Sequence, residues 1–194
     1  AYGPAEGNGS ADLICQFFGG YPESVSARIP RLRPDLEADV FVTMRLDFPD
    51  DRQANVVINR MSHAPKQYLE MRLDCEHASI RVSLGGVARL ALGWNSELSR
   101  PRLKFSLTKG GEVRWERDGR SRTLVRQPRS AFSEAAATHF SQFLAAIADG
   151  SEPAVSAAHA REVLNAVLAG YGSAANDGVL TRLEDVSAMG KRPD

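Results

Sequence analysis

The chain has 194 residues, of which 43% are hydrophobic and 25% are charged, and its 24 lysines and arginines balance its 24 aspartates and glutamates. This size and composition are typical of a globular protein with one well-buried core, or at most two small ones. The zero net charge argues against nucleic acid or an anionic membrane surface as a partner. No apolar run approaches the roughly 18 residues of a membrane span, and Ala1-Tyr2-Gly3-Pro4 lacks a secretory signal pattern.

The two cysteines, Cys15 and Cys75, belong to no CxxC pair and no Cys/His cluster. We interpret them as reduced thiols in apolar surroundings, which suits a cytoplasmic protein. A disulfide between them is the alternative.

Residues 1–11 are small and rich in glycine, and we interpret them as a flexible terminal segment. A short helix is predicted next. Ser10 is its candidate N-cap, and Asp12 then lies in the first turn, where the helix dipole favours a carboxylate. Gly19-Gly20 predicts the end of this helix.

From Glu23 the hydrophobic period changes to two, which predicts strands. The predicted strands are 23–29, 40–48, 54–59, 68–75, 78–84, 88–94, 103–108, 112–116 and 122–125, with a short edge strand at 179–180. Because short turns such as Asp118-Gly119 connect them, the sheet is expected to be mostly antiparallel.

Two amphipathic helices are predicted after the strands. The first carries Phe140, Phe143 and Ile147 at helical spacing and ends at Asp149-Gly150, and the second is capped by Ser156. The prediction is an α+β fold, with a large, mostly antiparallel open sheet and helices packed on one face. We expect a single domain over residues 12–188 and a mobile tail over residues 189–194.

The motifs of common catalytic and cofactor sites are weak in this chain. Gly7-Asn8-Gly9 follows no predicted strand, and Asp12 occupies the place of the third glycine of a dinucleotide fingerprint. The four histidines, His63, His77, His139 and His159, show neither metal-ligand spacing nor a local carboxylate partner that predicts a triad. No metal site is predicted.

The segment from Arg60 to Lys66 connects two predicted strands and also contains His63. Two cations and a titratable ring at a sheet edge could hold an anionic or polyhydroxylated ligand, although a solvated loop is the alternative. The polar face of the sheet also allows two interpretations, a solvated surface or an interface with a second copy. We favour the interface, because Phe41, Val57 and Tyr68 lie among its charged residues.

Several short patterns occur in a characteristic order along the chain. They are Asp12-Leu13, Gly19-Gly20, Pro22-Glu23-Ser24-Val25-Ser26-Ala27, Asp47-Phe48-Pro49, and the spaced set Phe140, Phe143, Ala146-Ile147, Gly150, Pro153 and Ser156. From Asp12 to about Leu183, this order resembles the C-terminal domain of the glucose–fructose oxidoreductase/inositol dehydrogenase (Gfo/Idh/MocA) family.

The resemblance implies a protein with an N-terminal Rossmann domain that holds NAD or NADP. Its C-terminal α+β domain supplies the substrate pocket and the oligomer interface. Only the second domain matches this chain, so the resemblance implies no cofactor for the chain alone. Asp12 matches the family's aspartate near the pocket, whereas Gly9 stands where the family often has a histidine.

The expected function is therefore substrate binding and oligomerisation within an NAD(P)-dependent oxidoreductase that acts on a sugar, cyclitol or similar hydroxy compound. The candidate substrate-binding residues are Asp12, Arg60, His63 and Lys66. The alternative is a non-catalytic dimerisation or ligand-sensing module derived from that family. Whether the chain takes part in an enzyme is left open, because it lacks both the nucleotide-binding domain and the usual histidine.

Overall fold

A computed structural model describes residues 5–36, 38–63, 69–84, 91–94, 103–106, 111–127, 131–153 and 155–185. In chain order, the elements are α1 (Ala5–Phe18), β1 (Ser24–Arg28), β2 (Phe41–Asp47), β3 (Gln53–Asn59), β4 (Leu69–Asp74), β5 (Ser79–Leu84), β6 (Ala91–Trp94), β7 (Leu103–Ser106), β8 (Gly111–Arg117), β9 (Arg120–Gln127), α2 (Ala131–Asp149), α3 (Ala157–Ala175) and β10 (Thr181–Arg182). The chain divides into two compact units, Ala1–Ser62 with Glu152–Asp194, and His63–Ser151.

The first unit contains a four-stranded antiparallel sheet in the order β10-β1-β2-β3. A tight turn joins β2 to β3, and Asp50 and Asp51 there adopt φ angles of 62° and 56°. Aspartate tolerates this left-handed conformation better than most residues, which explains its use in the turn.

Alternation along the strands of this sheet gives it one apolar face. Val25, Leu46 and Val56 point to that face, where α3 packs with Val163 and Val167. Gly170 permits the close approach of α3 to the sheet, because a Cβ atom there would lie 3.0 Å from Met44 Sδ. Burial of this face supplies the hydrophobic stabilisation of the unit.

The second unit contains an antiparallel sheet in the order β4-β5-β8-β9 and a separate hairpin of β6 and β7. Its apolar positions, such as Met71 and Val82, face one side, and Arg72 and Arg81 face the other. Helix α2 also belongs to this unit, and Phe140, Leu144 and Ile147 lie exposed on it.

The predicted α+β class with antiparallel strands is confirmed. Within the first unit the described strands form the sheet β10-β1-β2-β3, and within the second unit they form the sheet β4-β5-β8-β9 and the β6-β7 hairpin. Periodicity predicts which residues form strands but not which strands are neighbours. The predicted boundaries of a single domain stay predictions, and the proposed tail at 189–194 lies outside the described residues.

The predicted start of the first helix is wrong, because α1 begins at Ala5 and not after Ser10. Ala11 and Cys15 are buried in the core of the first unit, and such packing stabilises a helix whose N-terminal glycines disfavour it. Asp12 therefore lies in the interior of α1 and does not act as a first-turn carboxylate. Its function must be sought in its side-chain contacts.

Candidate functional site

Asp12, Tyr21 and His159 form a hydrogen-bonded group that we call the histidine cluster. His159 Nε2 lies 2.5 Å from Asp12 Oδ1, and His159 Nδ1 lies 2.9 Å from Tyr21 Oη. The side chains of His159 and Asp12 are 17% and 34% exposed, so the cluster is partly screened from water. Both ring nitrogens of the histidine therefore have a partner.

Each member of the histidine cluster comes from a different element of the first unit. Asp12 projects from α1, and Tyr21 follows the glycines that end this helix, where Gly19 has a φ of 66°. His159 lies in the first turn of α3, and its backbone N–H donates to the capping hydroxyl of Ser156 over 3.2 Å. The cluster thus connects both helices and the segment before β1.

The surroundings of the histidine cluster raise the pKa values of two weak acids, the Tyr21 phenol and the Cys15 thiol. Burial raises the pKa of the Tyr21 phenol, and the nearby Glu162 and Asp12 carboxylates raise it further. Burial, followed by the charge of Asp12, raises the pKa of the Cys15 thiol from 9.0 to about 11. Cys15 is consequently a neutral core residue near neutral pH, which argues against a nucleophilic role.

The order carboxylate, imidazole, hydroxyl is the one in which acid–base triads orient a histidine ring. The two short distances lie within the reach that proton transfer requires. The histidine cluster can therefore accept or move a proton, or it can fix the orientation of a carboxylate. Gln16 occupies the second oxygen of that carboxylate, since its Nε2 donates to Asp12 Oδ2 over 3.0 Å.

A second polar group lies at the other end of the first sheet. Tyr171 Oη donates to Asp39 Oδ2 over 2.8 Å. Burial raises the pKa of Tyr171, the hydrogen bond and charge of Asp39 raise it further, and the charge of Arg60 acts in the opposite direction. The backbone N–H of Arg60, just after β3, donates to Val40 O, so the main chain of Arg60 is held beside the start of β2.

The four predicted substrate-binding residues are found in different surroundings. Asp12 lies in the histidine cluster, Arg60 lies near Asp39 and Tyr171, and His63 is exposed at the start of the second unit. Lys66 lies outside the described residues. All four stay predictions as substrate-binding residues.

Sequence reasoning missed His159 and Tyr21. His159 shares a helix face with the buried Val163 and Ala166, which was an available signal of partial burial. Its partner Asp12 lies 147 positions away, and neither periodicity nor local spacing can indicate such a contact.

The described residues offer no dinucleotide cradle and no metal centre. All described strand pairings are antiparallel, whereas the nucleotide fingerprint requires a helix that crosses between parallel strands. In the same part of the chain, no group of three or more histidine, cysteine, aspartate or glutamate residues is arranged to hold a metal ion. None of the helices within it is both long and apolar enough for a membrane span.

Residues 10–81, which run from α1 to β5, match the family model described as the GFO/IDH/MocA C-terminal domain. The chain resembles the C-terminal domain of the GFO/IDH/MocA family. The sequence-based prediction of this resemblance is confirmed. A search of curated proteins finds no match.

Solved oxidoreductases share the fold of this GFO/IDH/MocA-like chain. An oxidoreductase from Agrobacterium radiobacter, in complex with NAD+, L-tartaric acid and magnesium, is 18% identical, with a TM-score of 0.67 over 94% of this chain and 48% of that chain. An aldose–aldose oxidoreductase from Caulobacter crescentus, complexed with glycerol, is 20% identical, with a TM-score of 0.62 over 91% and 45%. The chain thus spans about half the length of these proteins.

A third solved structure is UDP-N-acetylglucosamine 3-dehydrogenase from Acidithiobacillus ferrooxidans. It is 17% identical, with a TM-score of 0.59 over 86% of this chain and 44% of that chain. At such identities, the similarity establishes the fold, and the chemistry of this chain has to be argued from its own residues.

Proposed function

We propose that the chain is the substrate-binding and oligomerisation domain of an NAD(P)-dependent oxidoreductase that acts on a sugar, cyclitol or similar hydroxy compound. The observation that carries the proposal is the fold match, which covers nearly all of this chain and about half of oxidoreductases such as the one complexed with NAD+. On this proposal, the nicotinamide is bound by another part of the parent protein, and the chain alone is inactive.

Asp12 is the residue best placed to contact a hydroxylated substrate. Its carboxylate is partly exposed, and His159 and Gln16 each occupy one of its oxygens. An ionised carboxylate has about four acceptor positions, so it retains capacity for substrate hydroxyls. Arg60, His63 and Lys66 stay proposed contacts on the ground of their residue types alone. Arg60 lies with Asp39 and Tyr171 at the other end of the first sheet from Asp12.

We propose that oligomerisation uses the polar sheet faces. On the first sheet, Ser26, Arg45 and Asn55 lie side by side in register, and they line a shallow groove of about 410 Å³ together with the exposed Val57. Arg45 Nε donates to Asp47 Oδ1 over 2.8 Å. Because this cation is already paired, its face can pack against a second copy with less uncompensated charge.

On the polar face of the second sheet, the arginines are also paired with carboxylates. Arg81 lies 3.5 Å from Glu70, and Arg72 lies 2.9 Å from Asp74. Light scattering coupled to size-exclusion chromatography tests the proposed interface. A strictly monomeric peak at micromolar concentration would contradict it.

Gly9 supports a second candidate function, a non-catalytic dimerisation or ligand-sensing module. A Cβ atom at Gly9 would meet nothing within 4 Å, so the fold leaves room there for a side chain. The sequence nevertheless has glycine where the family often has a histidine. Loss of that group is what we expect of a module that keeps the fold without the proton transfer.

Ligand binding distinguishes the two candidates. For an oxidoreductase domain, we expect no NADH fluorescence change with the chain alone at micromolar concentration. Reduction of NAD+ or NADP+ by a hydroxy substrate, which is oxidised to the carbonyl compound, is expected only in the full-length parent. For a sensor, we expect polyhydroxylated compounds to raise the melting temperature without cofactor. Asp12→Asn should abolish that shift, whereas Asp35→Asn, at an exposed residue paired with Arg33, should preserve it.

The cellular location is also a proposal. Cys15 and Cys75 are both free, as expected for reduced thiols, so a disulfide between them is not part of this structure. Free thiols are typical of the cytoplasm. Thiol counting on protein freshly extracted under alkylating conditions tests this location, and a blocked Cys75 would contradict it.

A further inference from the structure

The hydrogen-bond partners of the histidine cluster constrain where its protons lie. Burial and nearby carboxylates raise the pKa of Tyr21, so its hydroxyl keeps its proton near neutral pH. A neutral histidine ring has one donor and one acceptor nitrogen. Because Asp12 accepts but cannot donate when ionised, the nitrogen that faces it must be the donor.

This requirement assigns every hydrogen bond of the histidine cluster. In a neutral His159 ring that faces an ionised Asp12, Nε2–H donates to Asp12 Oδ1, which lies 2.5 Å away, and Nδ1 accepts from the Tyr21 hydroxyl, which lies 2.9 Å away. The rings of Tyr21 and His159 lie with their centroids 5.5 Å apart and are tilted by 44°, so the phenol also packs beside the imidazole. Tyr21 thereby favours the tautomer that Asp12 requires.

The remaining neighbours do not compete for this arrangement. Cys15 of α1 is a neutral thiol, because burial raises its pKa to about 11. Glu162 of α3 accepts from Arg161 over 2.8 Å. Arg52 donates to Phe18 O at the C-terminal end of α1.

We propose that His159 is a positioning residue for the Asp12 carboxylate, and that Tyr21 holds the ring in the tautomer that this role requires. The main chain of His159 is held in place, because its backbone N–H donates to the Ser156 hydroxyl that caps α3. The ring therefore defines the direction of one carboxylate oxygen relative to both helices. Carboxylates that bind ligands precisely need this kind of support.

This proposal deepens the proposed function, because it rests on Asp12 as a contact to substrate. With Oδ1 held by His159 and Oδ2 held by Gln16, only the remaining lone pairs of Asp12 can receive ligand hydroxyls. The ligand class that fits is a neutral compound with adjacent hydroxyl groups. A carboxylate or phosphate ligand would be repelled by Asp12.

The test is nuclear magnetic resonance of the whole chain, labelled with ¹⁵N-histidine, at about pH 8, where an ordinary imidazole is neutral. We expect His159 to show a slowly exchanging Nε2–H proton and an acceptor Nδ1. Tyr21→Phe should increase the exchange rate of that proton at least several-fold, although Tyr21 does not touch Nε2. A merely structural Tyr21 would leave the exchange rate unchanged, and such a result would overturn the proposal.

A double-mutant cycle in urea provides the second measurement. His159→Gln and Asp12→Asn should each raise the unfolding equilibrium constant about tenfold, as expected for a hydrogen bond to a charged group. The double variant should be little worse than either single variant, since both remove the same contact. Fully additive effects would overturn the proposal.

His77→Gln is the matched control, because the His77 side chain is 79% exposed and lies 3.9 Å from Glu76. This variant should leave both readouts unchanged. Neither measurement contains a sugar or a cofactor. The positioning role of His159 can therefore be confirmed even if the proposed function is wrong. A failure of either proposal can be told from a failure of the other.

Discussion

Ser173 makes a buried hydrogen bond that is lost when a single side-chain atom, its Oγ, is removed. Its hydroxyl accepts from the Ala27 N–H over 2.9 Å, and Ser173 itself is 0% exposed. Ser173→Ala leaves this backbone donor in the core without its partner, which costs about 1–3 kcal/mol. The better helix propensity of alanine returns about 0.5 kcal/mol. We therefore expect a net loss of about 0.5–2.5 kcal/mol in the free energy of unfolding.

Urea denaturation measures this loss, and amide hydrogen exchange locates it. The Ala27 amide should exchange faster in Ser173→Ala than in the unmodified protein, beyond the change of other β1 amides. Ser141→Ala makes the same chemical change at an exposed position of α2, and we expect an effect within about 0.5 kcal/mol there. An unchanged unfolding free energy for Ser173→Ala, together with a protected Ala27 amide, would refute the reasoning.

Leu46→Ala should reduce the unfolding free energy by about 2–5 kcal/mol, because Leu46 is 0% exposed. Val57→Ala, on the exposed face of the same sheet, should change the unfolding free energy by less than about 1 kcal/mol. Equal effects of the two substitutions would contradict the assigned faces. Cys75 should react rapidly with a thiol reagent, and Cys15 should react only after unfolding. Because the pKa of Cys15 is raised from 9.0 to about 11 in the folded protein, the free energy of unfolding should fall as the pH rises from about 9 to about 11. A constant free energy of unfolding over this pH range would contradict the burial of Cys15. Gly178→Ala should reduce the free energy of unfolding, measured in urea, by about 1–2 kcal/mol. Gly178 has a φ of 79°, and a Cβ atom there would lie 3.3 Å from a backbone carbonyl oxygen. An unchanged free energy of unfolding would contradict this geometry.

Local patterns predicted most elements of this fold. The alternation around Val25 and Leu46 indicates the buried face of the first sheet, and Ser156 marks the start of α3 as its capping hydroxyl. These features depend on neighbouring residues, so a single sequence contains the information. The start of α1 was mispredicted because tertiary burial of Ala11 and Cys15 outweighs the low helix propensity of nearby glycines.

The candidate site was only partly predictable for a different physical reason. Asp12 was identified through a family resemblance, yet its partners His159 and Tyr21 were not. Their contact depends on the packing of α3 beside α1, which joins residues far apart in the chain. The pairing of β1 with β10 could not be predicted for the same reason, since strand pairing is a non-local choice.

The late position of α3 in the chain has a consequence for biosynthesis. The ribosome completes β1, β2 and β3 before it makes residues 63–151, and α3 follows only after them. Until α3 emerges, the apolar face of the nascent first sheet lacks the helix that covers it, and Ala27 lacks the Ser173 hydroxyl. Such a face is a binding site for chaperones and a risk for aggregation during translation. Arrested nascent chains that end before residue 156 should therefore be protease-sensitive in β1–β3, and chains with α3 fully emerged should be protected.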